Sequence, residues 1–133
     1  MSELRPRRTV SAVTDDALEE HDAVGLVEAL HAGKVSATEV VEAAIARVEA
    51  VDPALNAMAF RAFDRARVQA GAPRDGYFSG VPTVVKDNVA VAGLPTQDGA
   101  DAWAPRAEKA DGDFARMYLD TGLVPLGKSR LSE

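Results

Sequence analysis

The sequence predicts an α/β fold with at least some parallel strand pairing, and three observations carry that expectation. Two amphipathic helical segments open the chain. An apolar strand-like run in residues 80–89, GVPTVVKDNV, ends on a lysine. A strand, helix, strand order with short connections then follows, which is the pattern of parallel neighbours joined by a helical crossover.

The chain has 133 residues, the size of one ordinary domain and enough to bury a core. Hydrophobic residues make up 47% and charged residues 27%, a globular rather than disordered balance. Twenty-one acidic against 15 basic residues leave a formal charge of -6, which disfavours a surface built for bare nucleic acid or anionic lipid. There is no cysteine, hence no disulfide, thiolate metal site or cysteine nucleophile. Arg5, Arg7 and Arg8 form a basic cluster without the apolar stretch of an export signal, so residues 1–14 are expected to be a flexible tail. Nothing approaches the roughly 18 apolar residues of a membrane span, and a cytoplasmic location is expected.

The elements follow in order. Asp22 is placed to cap a helix whose apolar face is Ala23, Leu26, Val27 and Leu30, with Gly33 as its left-handed end. Ser36 and Glu39 have capping-box spacing, and Val41, Ala44, Ile45 and Val48 repeat at helical intervals until Asp52 and Pro53 are expected to stop the run. Residues 55–60, LNAMAF, form a short apolar run that fits strand or helix, with flanks that favour a strand. A helix with Phe63, Ala66 and Ala70 on one side follows, ended by Gly71 and Pro73. Residues 76–80 are turn-rich, and Pro82 suits the start of a buried strand. Residues 93–111 lack a sustained period and read as a long ordered loop, a kind of segment that often has a function. Asp111 or Asp113 is expected to cap a helix carrying Phe114, Met117, Tyr118 and Thr121, and residues 123–128 read as a last strand in which Pro125 argues against a central position.

Lys86 is the residue whose setting suggests chemistry. It leaves a buried strand at the turn made by Asp87 and Asn88. A lysine held against apolar walls loses hydration, which favours the neutral amine and lets it act as a base. The alternative at this point is a solvated lysine, or one paired with Asp87.

Other constellations carry less. His21 and His31 have no acidic or cysteine cluster around them and make a poor metal pair. Lys128 follows Gly127 without phosphate-loop spacing, and Ser129 and Ser132 are better read as turn or cap residues than as nucleophiles. Asp15 with Asp16 and Glu19 with Glu20 suit a helix start. Asp98, Asp101, Glu108 and Asp111 match no calcium loop. No metal and no cofactor is expected.

Three segments together resemble the amidase-signature family of amidohydrolases across most of residues 22–133. The opening AVGLVEALHAGKVSATEVVEAAIARVEAVDPALNA resembles its N-terminal helical pair. FSGVPTVVKDNVAVAGLPT, residues 78–96, resembles its lysine strand and following loop, and TGLVPLGKSRLSE its next strand. The sequence departs from the pattern at Gln97, Asp98, Gly99 and Ala100, where the family usually has small or hydroxyl residues and a Gly-Ser pair.

The resemblance implies a layered α/β/α fold with a mixed sheet, with residues 15–133 as the N-terminal part of one domain. It implies that Lys86 works through a cis-peptide serine to activate a second serine, which attacks a carboxamide and releases ammonia or an amine. Both serines and the glycine-rich oxyanion donors are expected beyond residue 133, and Ser79, Ser129 and Ser132 do not match them. The expected partners are a small amide substrate and the rest of the domain, with no membrane, no direct nucleic acid and an open oligomeric state. Two alternatives stand beside a free amidase: the amidase subunit of a tRNA-dependent amidotransferase, and a non-catalytic fragment that needs its complementary half.

Overall fold

The computed structural model describes residues 9–102 and 104–131. The cluster Arg5, Arg7 and Arg8, with Ser132 and Glu133, lies outside the described residues.

Helix α1 (Ala23–His31) starts where the Asp22 carboxylate accepts the Gly25 N–H at 2.8 Å, and it ends before Gly33, whose φ is 69°. Leu26 and Val27 are buried as their spacing requires, while Ala23 stays exposed. Helix α2 (Ala37–Leu55) opens on a complete capping box: Ser36 Oγ accepts from Glu39 N at 3.2 Å, and Glu39 Oε2 accepts from Ser36 N at 2.7 Å. In thermal melts of the full-length protein, Ser36→Ala is expected to cost about 1 kcal/mol, the usual worth of such a cap.

The helix does not stop at Pro53. It runs through to Leu55 and closes on Asn56 in the left-handed region, φ 50°. Pro53 has no N–H to give the carbonyl of Glu49, yet the helix continues two residues past it. Asp52, buried just before it, ties the exit down by accepting from Ala57 N at 2.6 Å, Met58 N at 3.1 Å and Arg61 Nη2 at 2.7 Å.

The Arg61 guanidinium, with the Met58 and Ala57 amides, holds the Asp52 carboxyl below its ordinary 3.8. Arg47, bonded to both oxygens of Asp16, does the same for that carboxyl. A carboxyl depressed on folding takes up its proton more readily in the unfolded chain. Its contribution is therefore complete above the unfolded value and is lost as pH falls through the folded one. Melts between pH 7 and pH 2 are expected to show Asp52→Asn less stable than the parent at pH 7, with the gap closing below the ordinary carboxyl value.

Among the described residues the sheet has three strands in the order β1-β3-β2. β1 (Met58–Arg61) runs antiparallel to β3 (Val124–Ser129), and β2 (Pro82–Lys86) runs parallel to β3. Pro125 thus sits in the central strand, contrary to the edge position that a proline suggests. The register explains it. Val124 N donates to Val81 O toward β2 at 2.8 Å, so the nitrogen of Pro125 faces the other side, where β1 pairs only from Gly127 onward.

Helices pack on both sides of the central strand β3, while the outer face of β2 at Val84 and Lys86 stays exposed. Val41, Ala44 and Ile45 of α2 with Ala66 and Ala70 of α3 (Phe63–Gly71) pack on Val124 and Leu126. On the opposite side Ala115 and Leu119 of α4 (Asp113–Leu119) join Val85, Val91 and Leu94. A third cluster links Leu26, Val27 and Val40 to Val81 and Leu123.

The α4 expectation needs correcting. Its N-cap is Gly112, without a side-chain cap bond, and the Asp111 carboxylate instead accepts the Ala92 N–H at 2.7 Å. Phe114 and Met117 are 61% and 72% exposed, and the buried positions are Ala115 and Leu119. A small alanine lets the short helix approach the sheet, so the buried stripe is turned by one residue from the one that the large side chains mark. No helix among the described residues is long and apolar enough to cross a membrane.

Candidate active site

β2 and β3 run parallel and finish together, with Lys86 opposite Ser129. Open α/β sheets bind ligands outside the C-terminal ends of such strands. Side chains alternate along β2: Val85 enters the α4 cluster and Thr83 Oγ1 lies 2.7 Å from Tyr118 Oη, so Val84 and Lys86 point to the other face. Both are exposed. The Lys86 side chain has no hydrogen-bond or ion-pair partner among the described residues. It is neither held against apolar walls nor paired with Asp87, which corrects the expected setting while leaving the residue at the strand end.

Asp87 turns inward and is 3% exposed. Its carboxylate accepts from Gln97 N at 3.3 Å and Gly99 N at 3.5 Å. Its own N–H donates to Ser129 O at 3.0 Å, and its carbonyl accepts from Asp98 N at 3.2 Å.

The desolvated lysine of this region is Lys128. It is fully buried on β3, donating through Nζ to Pro95 O at 3.1 Å and Thr96 Oγ1 at 3.2 Å, with Asp87 Oδ1 at 3.8 Å. Burial lowers its pKa from the ordinary 10.5, against the opposing pull of Asp87, Glu108 and Asp98. Sequence reasoning weighed Lys128 only as a phosphate ligand. The available signal was its place at the end of the unbroken apolar run 123–126, since residues of a strand covered on both faces are buried whatever their type.

A polar hollow of about 140 Å³ opens at this rim, lined among others by Asp87, Gln97, Asp101 and Arg130. Arg130 donates to Asn56 Oδ1 at 3.2 Å. Ser129 is a sheet partner of Met58 and Lys86, and Ser79 lies in the turn before β2. His21 pairs with Glu19 at 3.1 Å, and the described residues contain no cluster of metal-ligand side chains.

A mixed sheet between helical layers, with a lysine at the end of its parallel edge strand, defines a layered α/β protein. The family model described as Amidase matches residues 39–133, and the chain belongs to the amidase-signature family. The "Putative amidase AmiC" of Mycobacterium leprae is 56% identical over 124 residues, covering 93% of this chain and 26% of that protein. A glutamyl-tRNA(Gln) amidotransferase subunit from Acidothermus cellulolyticus is 36% identical over 124 residues, covering 84% of this chain and 24% of its own length.

Among solved structures, native peptide amidase from Stenotrophomonas maltophilia superposes with a TM-score of 0.76 at 29% identity, over 88% of this chain and 26% of that one. The fold is therefore the layered fold of the amidase-signature enzymes. The chain spans about a quarter of the length of these relatives.

Proposed function

We propose that this chain is the lysine-bearing, N-terminal part of a serine amidase that hydrolyses a carboxamide to a carboxylate and ammonia or an amine, with Lys86 as its base. The observation that carries this reading is Lys86 itself. It ends a strand parallel to its neighbour, inside the segment matched to the family, and its side chain has no partner among the described residues on a sheet face where Val84 is 40% exposed. Further layers of a longer domain would cover that face, and covering it removes water from the amine and favours the neutral base.

The chemistry needs two serines from the rest of the domain. The nucleophilic hydroxyl passes its proton through the bridging serine to Lys86 Nζ as its oxygen bonds to the carbonyl carbon. When the C–N bond breaks, that proton goes to the leaving nitrogen. Water, giving up a proton by the same route, then releases the acid from the acyl-enzyme. No metal or cofactor enters these steps.

The amidotransferase reading ranks second, because the AmiC relatives stand at 56% identity against 36% for the amidotransferase relative. The full-length protein purified alone and given small carboxamides is expected to release ammonia or amine and acid in equal amounts. Hydrolysis that appears only with both an acylated tRNA and a partner protein would favour the second reading.

A further inference from the structure

Lys86 and Asp87 are chain neighbours of opposite charge, and a strand's pleat sends them to opposite sides. What keeps them apart at the strand end is the environment of Asp87. On the inner side its carboxylate meets two backbone amides, Gln97 N and Gly99 N, and the ammonium of the fully buried Lys128 at 3.8 Å. The same ammonium is anchored on Pro95 O and Thr96 Oγ1. Segment 95–99 is thus gripped at one end by Lys128 and at the other by Asp87. Backbone bonds complete the clamp, from Asp87 N to Ser129 O and from Val89 N to Lys86 O, each at 3.0 Å.

We propose that Lys128 and Asp87 form a buried positioning pair for Lys86, drawing the neighbouring carboxylate inward and fixing the turn that aims the Lys86 amine. The inference rests on the amidase reading of Lys86. Lys128 touches neither substrate nor reacting atoms here; it acts through Asp87. Without Lys128, Asp87 is a buried carboxylate that shares its hollow with Arg130 and has Lys86 next in the chain. A buried carboxylate left unpaired is costly, so the turn rebuilds to reach a cation or water. Either outcome displaces the base without removing any group that binds the amide.

The test uses the full-length protein and a small carboxamide. Lys128→Met, close in volume and uncharged, is expected to lower kcat at least about tenfold with KM within about twofold, because the loss falls on the chemical step. Adding Asp87→Asn removes the orphaned charge, and the double variant is expected to recover kcat to within about threefold of the parent. A role confined to anchoring Pro95 and Thr96 would not give that recovery, since the double variant still lacks those bonds, and a general loosening of the fold would not confine the loss to kcat.

An unchanged kcat in folded Lys128→Met, or a loss confined to KM, overturns the proposal. If the single variant does not fold, the double variant is read against the parent alone: a folded, active protein supports the pair, and an inactive or unfolded one overturns it. Lys86→Ala separates this inference from the reading beneath it. Full activity in that variant removes the amidase role of Lys86, whereas an inactive Lys86→Ala beside a fully active Lys128→Met removes only the positioning pair.

Discussion

Replacing Lys86 by alanine in the full-length protein is expected to lower kcat on a small carboxamide by about 10²–10⁴-fold with little change in KM, the usual effect of deleting a positioned general base. The reasoning is geometric. Lys86 ends β2 level with the end of β3, and its amine has no partner among the described residues, so its removal disturbs no fold contact. Melting temperature is therefore expected to stay near that of the parent. Lys86→Arg is expected to fail as well, since a guanidinium stays protonated and cannot accept the serine proton. Together these variants separate the loss of a base from the loss of a charge.

A large effect on stability is expected at Gly127. Its φ is 152°, and a Cβ there would overlap the carbonyl oxygen of Phe60 and press on Met58 Cε at 3.0 Å. Gly127 is the register partner of Arg61 on β1, and the irregularity in the β2 register spans it, between Pro125 and Lys128; the surroundings are backbone and core, which cannot give way cheaply. Gly127→Ala is expected to destabilise by about 3 kcal/mol or more, the sum of overpacking and backbone strain. Gly99→Ala is the control. It also has a positive φ, 75°, but its nearest neighbour would be Leu131 Cβ at 3.5 Å. Its cost is expected to be about 1 kcal/mol. Denaturant melts that ranked the two glycines equally would show that the β1–β3 approach is looser than its geometry implies.

The elements whose ends are set by side-chain chemistry were legible in the sequence. Asp22 and the Ser36–Glu39 box fix where α1 and α2 begin, because local hydrogen bonds decide those positions. Tertiary context overrode local pattern elsewhere. Asp52 holds the α2 exit through Ala57, Met58 and Arg61, so Pro53 does not end the helix. Ala115, not Phe114 or Met117, faces the sheet because depth of approach matters more there than side-chain size. The parallel pairing of β2 with β3 followed from element order and the mixed sheet from the family resemblance, but the central place of Pro125 depended on which side of β3 its nitrogen faces.

At the site, the strand end and Lys86 were visible from the apolar run that precedes them. The burial of Lys128 and the inward turn of Asp87 were not, because they require knowing that β3 is covered on both faces and that segment 95–99 folds over its end.

The account is tested most directly by the single-turnover rate of amine release from a carboxylic anilide, with full-length protein in excess over substrate, compared between the parent and Lys86→Ala. With enzyme in excess, the rate reports formation of the acyl-enzyme, the step in which the base takes the serine proton. The account predicts rapid release by the parent and a rate lower by about 10²–10⁴-fold in the variant. Equal rates in the two proteins would contradict it.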